Sequence, residues 1–197
     1  MAHGEVYWNE FGWDTSMEAL VARIVADYAA GPDVPSRGAA DRGARGEAAW
    51  IAEIEGRRVG CIFCVTDPGD TACAKLRLLL VHPDGRGHNL GRRLIDTCLE
   101  FARRAGYERV RLWTNHPLTA ARHLYLERGF ELIAEEPHHS FGVDLVGQTY
   151  ELDLRRASTA LHDTSTGLRD ASTRSDAPNG DGAAGANVPT PSSRRTR

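Results

Sequence analysis

The chain has 197 residues, room for one domain of ordinary size plus a tail, and its 41% hydrophobic and 26% charged content is that of a soluble globular protein. A formal net charge of −3 gives no general electrostatic case for nucleic acid or for an anionic membrane surface as partner. No run approaches the ~18 apolar residues of a membrane span, and the opening MAHGEVYWNE lacks a charged-then-apolar leader pattern, so the expected address is the cytoplasm, with no membrane partner.

In chain order, YWNEFGW first sets four aromatics within residues 7–13. Met17, Leu20, Val21, Ile24, Val25 and Tyr28 then recur at three- and four-residue steps, which predicts a helix over 15–29. Thr15 with Glu18 matches a capping box, and Gly31-Pro32 stops the helix. Residues 31–46 are Gly-, Ala- and Arg-rich without apolar period and read as a mobile loop. AAWIAEIEG (48–56) and RVGCIFCVT (58–66) predict a hairpin, and CAKLRLLLV (73–81) a third strand.

The chain carries Cys61, Cys64, Cys73 and Cys98. Cys61 and Cys64 have CxxC spacing, a pattern used for metal or redox chemistry. Residues three apart on a strand point to opposite faces, so the thiols diverge and read as small core residues.

The stretch KLRLLLVHPDGRGHNLGRRLIDTCLEFARRAGY (75–107) passes from strand through a Gly- and Arg-rich turn into an amphipathic helix over about 88–105, closed by Gly106. RVRLWT (109–114) is a further strand, residues 118–128 a helix ending at Gly129, and FELIAEE (130–136) and QTYELDL (148–154) complete the strands. Glu135, Glu136, His138 and His139 are read as lying in the loop that joins the last two. From residue 156 to 197, Ser, Thr, Ala, Gly, Asp, Pro and Arg dominate, a composition that buries too little surface to offset ordering entropy, so a disordered tail is expected after a domain of residues 1–155.

A strand that feeds a helix through such a turn offers unpaired N–H groups and the positive end of the helix dipole, a combination that binds phosphate. Gly87 and Gly91 lack the side chains that would hold a ligand off the backbone, and Arg86, Arg92 and Arg93 add charge at the edge. The turn itself is neither a Walker loop, since no Gly-Lys-Ser/Thr follows, nor a G-x-G-x-x-G fingerprint.

The order of elements, with Arg86-Gly87-His88-Asn89-Leu90-Gly91 and the later Ala120-Ala121-Arg122-His123-Leu124-Tyr125-Leu126-Glu127-Arg128-Gly129-Phe130, resembles the GNAT superfamily of acyl-CoA-dependent N-acyltransferases, over roughly residues 5–155. Asn89 replaces the middle glycine of the family's Arg/Gln-x-x-Gly-x-Gly/Ala signature; Asn is the next-best residue at positive φ. Leu118 stands where the family often has an Asn. KLRLLLVHP, LWTN and EEPHHSFGVDLVGQTYELDL are more narrowly similar to the acetyltransferase half of bacterial MarR–GNAT fusions. No winged-helix segment precedes the domain, so DNA binding is not carried over.

The resemblance implies an α/β (α+β) fold with a central mixed, mostly antiparallel sheet of six to seven strands and about four helices. It implies acetyl-CoA as cosubstrate and an amine acceptor, with a homodimer left open. The pantetheine arm would lie along Leu79, Leu80 and Val81, and the pyrophosphate on the N–H groups of Arg86, Gly87, His88, Asn89, Leu90, Gly91 and Arg92. Asn115 and Ala120 would contact the cofactor, and Trp8, Trp13 and Phe141 would fall at the acceptor pocket. Trp113 reads as core or as flanking the acyl group, and Asn115 also as a cap of the next helix.

Acyl transfer to an amine needs that amine neutral. An alkyl amine of pKa ~10.4 is only about one part in 2,500 neutral at pH 7, roughly 4.6 kcal/mol uphill. Tyr125 matches the tyrosine that protonates the leaving sulfur, and at its ordinary pKa it stays a donor. No Glu stands on the strand before the turn, where only Lys75 and Arg77 are charged, so the base is expected among Glu135, Glu136, His138 and His139. Adjacent histidines in an extended loop point opposite ways, so at most one of the two faces the site. No third ligand accompanies them for a metal. The alternative reading is a domain that binds acyl-CoA without turnover, as a sensor.

Overall fold

A computed structural model describes residues 2–30 and 46–155; the predicted loop, apart from Gly46, and the predicted tail fall outside them. The chain begins with α1 (Ala2–Phe11) and α2 (Ser16–Ala30), joined at Gly12, whose φ is +68°. α1 is not anticipated by apolar periodicity. Asp14 accepts from the Ser16 N–H at 2.9 Å and meets the start of α2 with a carboxylate, the sign that a helix N-terminus favours. The hydrogen bonds from Ser16 hold the Asp14 carboxyl below its usual range.

The sheet holds β1 (Ala48–Ile54), β2 (Arg57–Asp67), β3 (Asp70–Val81), β4 (Arg109–Asn115), β5 (Glu131–Ser140) and β6 (Val143–Asp153) in the order β1-β2-β3-β4-β6-β5. Only β3 and β4 run parallel, because α3 (Leu90–Arg104) carries the chain back between them; α4 (Thr119–Leu126) follows β4. The mixed six-stranded sheet and four helices are those expected. Among the described residues no helix is long and apolar enough to cross a membrane.

α3 covers one face. Leu94, Ile95, Cys98, Leu99 and Ala102 are buried against Ile62, Cys64, Ala74, Leu76 and Val110, with Tyr125 and Phe130 from the α4 side. Ile95 is fully buried, the kind of side chain whose truncation to Ala costs about 2–5 kcal/mol. The other face packs on α1 and α2, where Val6, Tyr7, Trp13, Met17 and Val21 meet Leu80, Phe141 and Leu145. The CxxC thiols do part company: Cys61 lies 3.2 Å from the Leu78 carbonyl, and Cys64 sits in the α3 core beside Cys98.

Two features open the sheet. β3 pairs with β4 only from Cys73↔Arg109 to Leu76↔Leu112, whereas its pairing with β2 runs on to Gly60↔Val81. The β2–β3 register shifts between Cys61 and Phe63, and Leu78 takes a left-handed φ of 53° there. That conformation costs a non-glycine residue about 1–2 kcal/mol and bends β3 away from β4. Residues 77–81 therefore present main chain to a cleft within the sheet.

β5 corrects the sequence reading. Glu135, Glu136, His138 and His139 lie on this ten-residue edge strand, not in a loop, and the connection to β6 is the tight turn at Phe141 and Gly142, both at positive φ. Pro137 is tolerated because an edge strand has one side without ladder partners.

Candidate active site

The β3–β4 cleft continues into a cavity of about 1250 Å³ between the sheet, α1, α2 and the turn into α3. Residues 78–81 of β3, residues 89–92 at the start of α3, Asn115, Ala120 and Tyr125 all line it.

The turn at its mouth explains the two glycines separately. Gly87 has φ +80° and open space where a Cβ would stand, so its role is conformational. Gly91 is helical, and a Cβ there would lie 2.9 Å from Leu124 Cδ1, so its role is close approach. Asn89 occupies the left-handed region at φ 58°, as the Gly-to-Asn exchange leads one to expect, and its side chain makes no capping bond. The first helical bond in the turn is Arg93 N–H to Asn89 O. The N–H groups of residues 87–92 have no protein acceptor among the described residues. At the positive end of α3, such N–H groups are able to receive an anion.

The arginines are less available than the sequence suggests. Arg86 pairs with Glu10 of α1 at 2.5 Å and Arg92 with Glu127 at 2.6 Å, so carboxylates already neutralise part of the rim. His88 is exposed, bonds the Arg86 carbonyl and does not line the cavity.

Tyr125, 4% exposed, borders the same cavity, packed on Phe130 and Tyr150. Its hydroxyl makes no hydrogen bond among the described residues. Burial pushes its pKa well above the ordinary value, with smaller contributions from Tyr7 and Cys98, so it holds its proton. α1 lays His3, Tyr7 and Glu10 along the opposite wall. Burial raises Tyr7 to about 12 and lowers His3 to about 4, leaving the imidazole neutral. Sequence reasoning missed this face, although His3, Tyr7 and Glu10 stand at helical spacing.

Tyr7, Trp13 and Phe141 form an aromatic stack, with centroids 5.0 Å apart at each step, and Phe11 packs beside it. Trp8, expected with them, is 61% exposed and instead borders a smaller cavity of about 220 Å³ behind α1.

The four candidate bases separate by strand alternation. None of Glu135, Glu136, His138 and His139 lines the cavity. Glu136 is exposed, Glu135 bonds Gln148, and His139 bonds Asp144 at 2.7 Å at the surface. His138 is half-buried and turned inward: Nε2 meets Asn115 Oδ1 and Nδ1 meets Ser140 Oγ, both at 2.9 Å. Asn115 and Ser140 do line the cavity. The Asn115 side chain is thus held by His138 and caps no helix; Leu118 is the N-cap residue of α4. Trp113, 44% exposed, lines the cavity with its ring 5.4 Å from that of His138. Among the described residues no cluster of His, Cys, Asp or Glu forms a metal site.

The family model described as "Acetyltransferase (GNAT) family" matches residues 13–130. An uncharacterised N-acetyltransferase of Methanocaldococcus jannaschii is 29% identical over 86 residues, 42% of this chain and 38% of that protein. The chain spans about two fifths of the length of the first curated relatives it matches. Among solved structures, a ribosomal-protein-alanine N-acetyltransferase from Brucella melitensis superposes with TM-score 0.57 at 18% identity, over 77% of this chain and 90% of that one. Salmonella typhimurium yncA, solved with its cofactor acetyl-CoA, gives 0.50 at 24% identity, over 55% and 65%. These likenesses show the fold.

Proposed function

The chain belongs to the acetyltransferase (GNAT) family, and from that premise we propose that it transfers the acetyl group of acetyl-CoA to a primary amine by direct attack in a ternary complex. The observation that carries the reading is the meeting, at one cavity, of the turn at residues 87–92, whose N–H groups have no acceptor among the described residues, the β3 main chain at 77–81, which pairs with β2 but not with β4, and Tyr125.

The fit to acetyl-CoA follows from those groups. The N–H groups of residues 87–92 would hold the diphosphate at the start of α3. Main-chain groups of Leu79, Leu80 and Val81 would take the pantetheine amides as a sheet takes an added strand. Asn115 and Ala120 would stand beside the arm. The coenzyme supplies an activated thioester. Tyr125 keeps its proton at neutral pH and donates it to the departing sulfur. Among the described residues its hydroxyl has no partner to give up first. Tyr7, Trp13 and Phe141 bound the space on the α1 side, where an acceptor would enter. The narrower likeness to MarR-fused domains would rest on residues 75–83, 112–115 and 135–154 and on the catalytic half alone.

The test is thiol release from acetyl-CoA with a panel of amines, for wild type and Tyr125→Phe. Wild type should turn over at least one amine, and Tyr125→Phe should lose about 10²–10⁴ in kcat while binding acetyl-CoA as well as wild type. An unchanged kcat in the variant would remove the acid role. Tight acetyl-CoA binding without turnover of any amine would replace the enzyme reading by the sensor reading.

A further inference from the structure

We propose that Ser140, His138 and Asn115 form a proton relay that strips the acceptor ammonium, with Ser140 Oγ as the group that touches the amine. The proposal rests on the acyl-transfer reading of the cavity and supplies the base which β3, with only Lys75 and Arg77 near the cleft, lacks.

The hydrogen-bond roles are set from the Asn115 end. Asn115 Oδ1 can only accept, so His138 carries its hydrogen on Nε2 and leaves Nδ1 as an acceptor. The Ser140 hydroxyl then donates to Nδ1 across 2.9 Å. This order of hydroxyl, imidazole and orienting amide gives a weak acid a base within reach and fixes that base's tautomer. His138 does not border the cavity, whereas Ser140 and Asn115 do, so Ser140 connects the imidazole to the cavity.

The step balances as a proton shift alone. As the hydroxyl proton of Ser140 moves to His138 Nδ1, Oγ takes a proton from the ammonium. The products are a neutral amine, an intact serine and an imidazolium. Asn115 Oδ1 continues to accept from Nε2–H, and the Trp113 ring lies tilted beside the imidazole with its centroid 5.4 Å away. Glu136, two positions along β5, is the charged side chain on the same strand face; Trp113, Asn115, Leu145 and Gly147, the facing residues of β4 and β6, carry none. His138 is half-buried on an edge strand, so the proton can pass from it to water.

Backbone geometry makes the span possible. β6 lies between β5 and β4, and His138 must reach across it to Asn115. Gly147, paired with both Asn115 and Glu136, is the residue crossed. A Cβ on Gly147 would stand 2.7 Å from Trp113 Cζ2, so the missing side chain leaves room for both rings.

The experiment compares wild type, Ser140→Ala and His138→Gln on two acceptors of similar size, an alkyl amine and an aromatic amine already neutral at pH 7. The relay predicts that each variant loses about 100-fold in kcat/KM on the alkyl amine at pH 7. The loss should shrink toward pH 10, where roughly a quarter of that amine is neutral unaided. On the aromatic amine both variants should remain within about threefold of wild type. Equal losses on both amines, or no loss on either, would overturn the relay while leaving the acetyltransferase standing. Acetyl-CoA binding with turnover of neither amine by wild type would remove the acetyltransferase reading, and the relay with it. Ser140→Ala deletes one hydroxyl at a hairpin end, so it keeps the test decisive if His138→Gln folds poorly.

Discussion

His3 gives a prediction whose size can be worked through. It is 8% exposed on the inner face of α1, 3.8 Å from Cys61 Sγ, and desolvation lowers its pKa from 6.5 to about 4. Because the folded value is depressed, the unfolded chain takes up the proton first. Stability is therefore intact above pH 6.5 and is lost as pH falls through the window from 6.5 to 4. Between pH 7 and pH 5 the unfolded imidazole becomes almost fully charged while the folded one stays neutral, a loss of about 2 kcal/mol out of about 3 in the acid limit. The depressed carboxylates Asp14, Asp67 and Asp70 act on the other side of this window, since their contribution fades only as pH approaches and passes below 3.8. Urea unfolding at pH 7 and pH 5 should show wild type losing about 2 kcal/mol more than His3→Gln, whose side chain does not titrate. With m near 2 kcal/mol/M, that is a midpoint shift of about 1 M. Equal losses in the two proteins would refute the buried, neutral His3 and the docking of α1 that buries it.

Gly147→Ala should lower stability by about 1–3 kcal/mol in thermal or urea unfolding, because the new Cβ meets the rigid Trp113 ring; in a Trp113→Ala background the same change should cost less than half as much. Gly91→Val should change stability by less than about 1 kcal/mol, since the clash is with the flexible Leu124 Cδ1, yet weaken acetyl-CoA at least tenfold in calorimetric titration by walling off the N–H groups at the start of α3.

How much could be read from the sequence follows from which contacts are local. α3 was visible because its buried face repeats at helical spacing, and the turn before it because Gly, Asn and Arg there act through their own backbone. β5 was misread as ending in a loop since, as an edge strand exposed over residues 131–137, it needs no apolar alternation, and Pro137 looks like a breaker. α1 was overlooked because its inner face mixes His3 and Glu10, which line the cavity, with Val6 and Tyr7, which join the core, so no apolar period marks it. The His138–Asn115 contact joins residues 23 apart through the registers of two strand pairs. No local pattern encodes that meeting. CxxC shows the converse: strand alternation alone predicted that Cys61 and Cys64 face opposite sides, as they do.

The most direct test of the central claim is a ¹H–¹⁵N correlation spectrum of the labelled protein titrated with acetyl-CoA. The account predicts saturable shifts that are largest for the amides of residues 87–92, followed by Leu79, Leu80 and Val81. Unmoved amides at 87–92 under saturating acetyl-CoA, or no binding at all, would contradict it.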